Sequence, residues 1–315
     1  MTEEAKTEEP KSAGRVGIVL VNYNGGKFMP ECLASLANLD YSDAYIVVVD
    51  NASTDGSADE AEALYPNIAV VRHTANLGIT GGNNAGMDWC RANKCEYILL
   101  LNNDTVVKPD FLSNLLAQAE PDCLLVPKIY FHDNKTLINN HFGTFDYWRG
   151  IHRDWFYGRS DTPASRRIQS TATMANTCAL LIPQQVAGRV GPMDDIYFIY
   201  SDDTDFITRA VRSGSRIKFV PNAVLYHRES SSSGGTNSPL AVYYTTRNRL
   251  YFMRKHQKNP VVLGFFWVYF TLTRLAVAAN YLRRGQRLQL RALWNGVSDF
   301  LQGEMGCAPS SRFSS

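Results

Sequence analysis

Three polar residues, Asn102, Asn103 and Asp104, directly follow the apolar run Tyr97–Leu101. A continuous apolar run of this kind is typical of a buried parallel strand. Ligands of open α/β sheets collect at the carboxyl ends of such strands. A carboxylate there suits a hard divalent cation, which takes oxygen ligands and often bridges phosphates. The alternative is that Asp104 only caps a helix that begins near Pro109, or shapes the turn before it.

Acidic residues stand at two further positions of this type. Asp50 ends the apolar run 45–49, and Asp202, Asp203 and Asp205 precede a helical pattern. A sugar-nucleotide transferase needs acidic and amide groups that bind a nucleobase and ribose, a metal that neutralises a leaving diphosphate, and a general base. The acidic cluster has an alternative interpretation as a helix N-cap with first-turn acids, which alone accounts for Asp202 and Asp205.

The elements that must position these residues alternate between strand and helix. Strands are predicted at 16–21, 45–49, 68–71 and 97–101, and helices at 29–39, 58–64 and from 82 to 91. Repeated βα units predict a mostly parallel sheet with helices on both faces. Further on, strands are predicted at 177–183 and 217–221, with a helix through Arg212 between them. The serine- and glycine-rich segment 228–237 is expected to be a mobile lid.

The glycine-rich segments do not fit the common nucleotide-binding fingerprints. Neither Gly25-Gly26 nor the run 78–86 has Gly-x-Gly-x-x-Gly spacing, and the sequence contains no Gly-Lys-Ser/Thr. The second run predicts a helix start whose N–H groups could bind phosphate. For Gly86, tight packing of helix on sheet is the alternative.

Composition indicates a globular chain of 315 residues, 45% hydrophobic and 20% charged. The six cysteines have no Cys-x-x-Cys spacing, which argues against structural zinc or a disulfide framework and favours a reducing compartment. The first ten residues lack a basic patch and an apolar core, so no secretory signal is predicted there. Residues 1–14 and 306–315 are expected to be disordered tails.

The segment 241–305 is strongly basic. It contains ten lysines and arginines but only two acids, a net charge of +8, so the rest of the chain carries −6 of the total +2. Residues 260–282 are apolar enough to span a bilayer, yet Arg274 lies in the middle, where a charge is costly. An in-plane helix bound to an anionic membrane surface is the preferred interpretation, and packing on the catalytic domain or in a homodimer is the alternative. Nucleic acid is not an expected partner.

Several motifs, in order, resemble glycosyltransferase family 2 on a GT-A fold. They are 21–24 (VNYN), 48–57 (VVDNASTDGS), 76–86 (NLGITGGNNAG), 102–104 (NND) and 193–205 with Arg209. The resemblance spans about 16–233, and motifs in the right order are more specific than any one alone. It implies an α/β GT-A domain over 15–240, and the basic and apolar residues that follow predict a helical membrane-associating extension over 241–305.

This resemblance implies inverting transfer from a nucleotide-diphospho-sugar, with UDP or dTDP as the nucleotide and Mn²⁺ or Mg²⁺ as the metal. Asp203 would be the base, and Asp104 with His227 would bind the metal. The nucleotide would be bound by a larger set of residues: Asn22, Asn24, Asp50, Asn76, Gly82, Asn83 and Asn102. For His227 a hydrogen-bonded structural role is the alternative.

Two positions depart from the family pattern. Asn102 replaces the first acid of an Asp-x-Asp pair, so metal binding rests more on Asp104, and Asp202 replaces the usual glutamate before the base. The block 243–249 looks most like rhamnosyltransferases and galactofuranosyltransferases of polysaccharide assembly. A lipid-linked or polysaccharide acceptor at the cytoplasmic face of the membrane is expected. The alternatives are a nucleotidyltransferase that makes the sugar nucleotide and a non-catalytic membrane protein that binds it.

Overall fold

The computed structural model describes residues 14–140, 142–162, 172–228, 235 and 237–314. Its strands are β1 Val16–Asn22, β2 Ala44–Asp50, β3 Ala69–Arg72, β4 Tyr97–Asn102, β5 Thr105–Val107, β6 Cys123–Phe131, β7 Gly143–Asp146, β8 Ile151–Asp154, β9 Ala179–Pro183 and β10 Arg216–His227. Its α-helices are α1 Met29–Leu36, α2 Ser57–Leu64, α3 Gly78–Ala92, α4 Phe111–Leu116, α5 Gln184–Val190, α6 Asp202–Arg212, α7 Pro239–His256, α8 Pro260–Arg283 and α9 Arg287–Gln302.

Eight strands form one sheet in the order β3-β2-β1-β4-β9-β6-β10-β5. Strands β1 to β4 are mutually parallel, as the alternating βα pattern predicts. Strand β9 runs antiparallel between β4 and β6, and β5 pairs antiparallel with the end of β10. The sheet is therefore mostly parallel, and β7 and β8 form a separate hairpin.

Alternate residues of the central strands enter two hydrophobic cores, one on each face of the sheet. Val19 and Leu100 pack in the core that faces α3, α5 and α6. Leu20 and Leu101 pack in the core that faces α1 and α4. Because successive side chains of a strand point to opposite faces, burial on both faces requires the continuous apolar runs seen in the sequence.

Two glycines allow α3 to lie close to β1. A Cβ at Gly82 would lie 2.5 Å from a methyl carbon of Val21, and a Cβ at Gly86 would overlap the side chain of Val19. The helix also begins at Gly78, four residues earlier than the sequence pattern predicts. The packing interpretation considered for Gly86 therefore fits the structure, and it applies to Gly82 as well.

The three C-terminal helices share their cores with the α/β unit. Tyr197 packs with Phe252, Phe266 and Phe300 in one cluster, and Tyr243 and Tyr244 pack with α9 and with Phe198 in another. Several basic residues of the extension are used inside the fold. Arg247 is 1% exposed, and its guanidinium lies 4.8 Å from the Tyr244 ring centre. The positive charge that the segment 241–305 exposes to a partner is therefore smaller than its net charge of +8 indicates.

Residues 306–314 differ from the expected disordered tail. The amide of Ala308 donates to the hydroxyl of Tyr244 at 2.9 Å, and Phe313 packs against Tyr243 and Tyr244. Arg312 pairs with the buried Asp299 at 3.0 Å. These aromatic and ionic partners order the segment, and an apolar-periodicity pattern cannot reveal them. The N-terminal tail and most of the expected lid at 228–237 lie outside the described residues.

Candidate active site

The carboxyl ends of three parallel strands bring the predicted polar residues to one edge of the sheet. In the ladder register, Asn22 pairs with Asp50, Val21 with Asn102, and Asp50 with Arg72. Ligands of α/β sheets bind at this edge. The register therefore places Asp50 and Asn102 on either side of the end of β1.

Asn22 organises this edge from inside the protein. Its side chain is fully buried, and its amide nitrogen lies 2.9 Å from a carboxylate oxygen of Asp50 and 2.9 Å from the hydroxyl of Ser57. Its side-chain oxygen accepts hydrogen bonds from Gly25 N and from Asn103. Because its polar atoms are engaged in this way, Asn22 positions Asp50, and its expected place in a nucleotide pocket stays a prediction.

Asp50 lies at a cavity of about 390 Å³. The second carboxylate oxygen of Asp50 accepts a hydrogen bond from the backbone amide of Ser53 at 3.1 Å. Asn24, with φ +52°, joins the two loops at the cavity's edge because its side-chain oxygen accepts from the amide of Thr54 at 2.8 Å. A carboxylate in a cleft of this size can accept hydrogen bonds from a nucleobase or ribose.

Arg72 and His73 also line this cavity, and sequence reasoning missed both. Their position at the carboxyl end of β3, next to Asp50, could have indicated them from the sequence. Asn51 connects His73 to the start of α3. Its side-chain oxygen lies 2.9 Å from Nδ1 of His73, and its side-chain amide donates to the carbonyl of Gly78 at 2.8 Å.

Asp104 and His227 lie together where β4 and β10 end. Nε2 of His227 is 3.3 Å from Oδ1 of Asp104, and both side chains are buried. Burial opposes protonation of the imidazole, but Cys178 and Asp104 outweigh it and raise the pKa of His227 well above its ordinary value.

This pair fits a divalent metal that is shared with a phosphate ligand. Carboxylate oxygen and imidazole nitrogen both bind Mn²⁺, and Nδ1 of His227 is a buried nitrogen with no hydrogen-bond partner among the described residues. Within that same part of the chain, no group of three or more His, Cys, Asp and Glu side chains is arranged for a metal. Two protein ligands would leave the other positions to diphosphate oxygens and water, as is common for Mg²⁺.

Asn102 and Asn103 have different roles beside this pair. Asn102 is half-buried; its amide donates to the carbonyl of Cys178 at 2.8 Å, and its carbonyl accepts from the Thr105 hydroxyl at 2.8 Å. Asn103 donates to Asn22 at 3.2 Å. Through these bonds the ends of β1, β4 and β9 are held together.

The N-terminus of α3 is not free to bind phosphate, contrary to the expectation from its glycines. The carbonyl of Phe198 accepts hydrogen bonds from the Ile79 amide at 2.9 Å and from the Thr80 hydroxyl at 3.2 Å. Asn76 caps the turn before the helix, accepting from the Gly78 amide at 2.8 Å. The helix start therefore binds a protein carbonyl.

Asn83 packs inside the protein, and its expected nucleotide contact stays a prediction. It is 4% exposed, and its amide nitrogen lies 3.6 Å from the sulfur of Met193. Its neighbour Asn84 exchanges hydrogen bonds with the backbone of Met193, at 2.8 and 2.9 Å, and donates to Asp195. Together with Gly82, which packs on β1, these residues join the sheet to the loop that precedes α6.

Asp203 lies in the first turn of α6, where it is half-buried. Its Oδ1 accepts from the amide of Thr204 at 2.6 Å and from the Thr204 hydroxyl at 3.1 Å. The same hydroxyl lies 2.9 Å from Nε2 of His152 on β8. A carboxylate held in this way at a helix N-terminus can accept a proton from a substrate hydroxyl.

Asp202, by contrast, is 4% exposed. Burial, and next the negative charge of Asp203, raise the pKa of Asp202 well above its ordinary value. The two adjacent carboxyl groups thus have different environments, and the more accessible of the two is Asp203.

The loop that leads into α6 is held in an uncommon conformation. Phe198, Tyr200 and Ser201 each have φ of +65°, which costs free energy for residues other than glycine. The side-chain amide of Asn248 on α7 compensates by donating to the carbonyls of Tyr197, Ile199 and Tyr200 at 2.8 to 2.9 Å. Sequence reasoning gave Asn248 no role.

Asp205 fixes α6 against α7. It is fully buried, and its carboxylate lies 2.7 Å from Arg209, 2.6 Å from Lys255 and 2.6 Å from His256. Burial disfavours the charged form, but hydrogen bonds from His256, Lys255 and Arg209 outweigh it and lower the pKa of Asp205. The first turn of α6, with Asp203, is therefore anchored on two sides, by α3 and by α7.

Curated relatives match most of the chain. The "N-acetylglucosaminyl-diphospho-decaprenol L-rhamnosyltransferase" of Mycobacterium tuberculosis is 25% identical over 254 residues, which cover 72% of this chain and 80% of that protein. The "dTDP-rhamnosyl transferase RfbF" of Shigella flexneri is 23% identical over 272 residues, covering 83% and 88%.

Solved structures share the fold. TarS residues 1–349 of S. aureus, in complex with UDP-GlcNAc, superposes with a TM-score of 0.58 at 16% identity, covering 95% of this chain and 82% of that one. The mannosyltransferase PcManGT of Pyrobaculum calidifontis, in complex with GDP-Man and Mn²⁺, gives 0.57 at 15% identity, covering 92% and 88%. The predicted GT-A fold, a mostly parallel α/β sheet with a helical C-terminal region, is confirmed.

The family resemblance inferred from the sequence motifs is also confirmed. Residues 17–184, more than half of the chain, match the profile of the family described as "Glycosyl transferase family 2". The two rhamnosyltransferases above are relatives of the same chain by sequence. The chain belongs to glycosyltransferase family 2 and is a glycosyltransferase with the GT-A fold.

Proposed function

We propose that this enzyme transfers a rhamnose- or galactofuranose-like sugar from a UDP or dTDP donor to a lipid-linked or polysaccharide acceptor, with inversion at the anomeric carbon. The buried Asp104–His227 pair carries the proposal, because its carboxylate and imidazole could hold a metal near the carboxyl edge of the sheet that also bears Asp50. The names of two relatives favour rhamnose, and one of them includes a diphospho-decaprenol acceptor.

Each side chain has a distinct task in this proposal. Asp50, in the cavity at the end of β2, accepts hydrogen bonds from the nucleoside, and Asn22 holds it in place. Asp104 and His227 would hold Mn²⁺ or Mg²⁺, which supplies positive charge to the leaving diphosphate. Asn102 lies beside them as the residue that replaces the first acid of the pair.

The reaction is a single displacement at the anomeric carbon of the donor sugar, with Asp203 as the base. The acceptor hydroxyl oxygen forms a bond to the anomeric carbon while the bond from that carbon to the diphosphate oxygen breaks. Asp203 takes the hydroxyl proton, and the nucleoside diphosphate leaves on the opposite face of the sugar, which inverts the configuration. The contacts of Thr204 with Asp203 and His152 orient the base for this step.

Helix α8 supports a position at the cytoplasmic face of the membrane. Among the described residues it is the one helix long and apolar enough to cross a bilayer. It exposes Val261, Val268, Leu272 and Leu282, each more than 60% accessible. Exposed apolar side chains of this size favour a lipid surface. We place the helix in the plane of the membrane because Arg274 would be costly at the bilayer centre.

A donor panel tests the proposal. Thermal unfolding is measured with UDP-, dTDP- and GDP-sugars, each with and without Mn²⁺, since a ligand that binds the folded state raises Tm. We expect stabilisation by dTDP- or UDP-sugars that depends on Mn²⁺. Stabilisation by GDP-sugars alone, or stabilisation independent of the metal, would contradict it. The comparisons do not favour a nucleotidyltransferase or a non-catalytic binding protein.

A further inference from the structure

Arg274 is a cation in the middle of an apolar helix, and the proposed mechanism does not use it. It is half-buried in α8, and its Nε has no hydrogen-bond partner among the described residues. No acidic side chain in that part of the chain pairs with it. Burial lowers the pKa of Arg274, and Tyr281 and Tyr269 only partly oppose that shift. A buried cation without an anionic partner destabilises a fold.

A second cation, Arg249 of α7, lies at the same aromatic ring as Arg274, that of Phe270. The guanidinium carbons of Arg249 and Arg274 lie 5.3 and 5.7 Å from the ring centre of Phe270. Among the residues that the structure describes, Nε of Arg249 likewise has no hydrogen-bond partner, and this atom is buried. Burial, and next the charge of Arg274, lower the pKa of Arg249 to about 10. Interaction with an aromatic face offsets only part of such a cost.

Arg149 adds a third guanidinium on the side that solvent reaches. Its guanidinium carbon lies 5.9 Å from the ring centre of Tyr269, and its side chain is 50% exposed. The guanidinium of Arg249 donates to the backbone carbonyl of Arg149. Among the described residues, the acid that lies within 4.0 Å of Arg149 is Asp146, which already pairs with Arg153 at 2.6 Å. Arg249 and Arg274 share the Phe270 ring, and Arg249 also bonds to the backbone of Arg149.

The position of this arginine cluster (Arg149, Arg249 and Arg274) connects it to the candidate active site. Arg149 lies in the turn between β7 and β8, and His152 of that hairpin contacts Thr204, which bonds to Asp203. Because three residues of chain span at most about 11 Å, this hairpin carries Arg149 of the cluster and His152 of the Asp203 hydrogen-bond network close together. The other side of the cluster is formed by α8, whose exposed apolar residues we assign to the membrane.

We propose that the arginine cluster binds the diphosphate of a lipid-linked acceptor, so that the lipid lies along α8 and the sugar hydroxyl extends toward Asp203. Guanidinium groups bind phosphate oxygens in pairs and with strong charge-assisted hydrogen bonds, which would use the free Nε atoms. The several negative charges of a diphosphate match the three cations. This inference rests on the proposed lipid-linked acceptor.

Binding of farnesyl diphosphate to the full chain, measured by calorimetry, tests the proposal. We expect Arg274→Gln and Arg249→Gln to weaken binding by about tenfold or more, as loss of a charge-assisted hydrogen bond does. Arg283→Gln is the matched control, because it removes an exposed arginine from the same helix; its affinity should stay within about twofold. Equal losses in Arg274→Gln and Arg283→Gln, or no binding to the unmodified chain, would overturn the proposal.

Thermal unfolding of Arg274→Gln separates a binding role from a structural one. Because the substitution removes a partly buried charge that has no anionic partner, Tm should be unchanged or higher. A clearly lower Tm together with unchanged affinity for farnesyl diphosphate would assign Arg274 to stability and overturn the proposal.

Vesicles distinguish the acceptor diphosphate from ordinary membrane phosphate. On phosphatidylcholine vesicles with phosphatidylglycerol, we expect Arg274→Gln and Arg283→Gln to reduce binding equally. If Arg274→Gln weakens vesicle binding more than Arg283→Gln does, and leaves farnesyl diphosphate binding intact, the cluster binds phospholipid and the proposal is wrong. Failure of the proposed function looks different, since then no nucleotide sugar stabilises even the unmodified protein.

Discussion

The backbone carbonyl of Phe198 accepts a hydrogen bond from the amide of Ile79 at 2.9 Å. This bond joins the first residues of α3 to the loop that leads into α6 and Asp203. Gly78, with φ +72°, allows the approach, because a Cβ there would overlap that carbonyl oxygen. The start of α3 and the loop that leads into α6 therefore have a common backbone contact.

Replacing Gly78 should disrupt this contact. For Gly78→Ala we expect a loss of about 2–4 kcal/mol in the free energy of unfolding, from positive φ and from overpacking together, and a fall in kcat. Gly158→Ala is the matched control: it has the same φ of +72° but open space around its Cβ. Its loss should be about 1–2 kcal/mol, from φ alone. Equal losses in denaturant unfolding would show that the Phe198 contact is unimportant.

Replacing His227 or Asp104 should weaken metal binding in the presence of nucleotide. For His227→Ala and Asp104→Asn we expect the affinity for Mn²⁺, measured by calorimetry with UDP or dTDP present, to fall by about tenfold or more. A metal displaces a proton from a ligating imidazole. Since the pKa of His227 is raised, the Mn²⁺ affinity of the unmodified protein should increase as pH rises through that pKa.

The control for the metal prediction is Asp122→Asn, which removes an exposed carboxylate that pairs with Arg189. It should leave the Mn²⁺ affinity unchanged. If His227→Ala also leaves the affinity unchanged, then the alternative interpretation, a structural histidine, holds.

Asp202 should make stability depend on pH in a defined direction. Its pKa is raised in the folded state, chiefly by burial. Between the unfolded and folded pKa values the native state therefore holds one more proton than the unfolded state, and stability falls as pH rises through this window. Asp202→Asn removes the penalty. We expect its Tm to exceed that of the unmodified protein at pH 8, with the difference shrinking as pH falls toward 4.

A set of melting curves from pH 4 to pH 8 checks this expectation. Asp110→Asn serves as a control, because Asp110 lies at an exposed position on the surface. A Tm for Asp202→Asn that lies below that of the unmodified protein at every pH would show that the Asp202 carboxylate stabilises the fold.

The strand ends could be predicted from the sequence, but the partners of the polar side chains could not. Asp50 and Asp104 follow apolar runs, so their place at the sheet edge follows from periodicity and from the parallel order of the strands. Asn83 lies in a similar glycine-rich pattern, yet it is buried against Met193, more than a hundred residues away.

Long-range hydrogen bonds explain the residues that sequence reasoning missed. Asn248 binds carbonyls about fifty residues earlier in the chain, and neither spacing nor residue type indicates that contact. The order of residues 306–314 similarly depends on Tyr243, Tyr244 and Asp299 from helices earlier in the chain.

The rate of sugar transfer in Asp203→Asn tests the central claim most directly. Under single-turnover conditions with the donor identified in the thermal panel, we predict a loss of about 10²–10⁴ in the transfer rate, which is the usual contribution of a general base. Donor affinity in the presence of Mn²⁺ should stay within about twofold, because Asp203 is not assigned to the nucleotide or the metal. A transfer rate within about tenfold of the unmodified enzyme would contradict the assignment of Asp203 as the base.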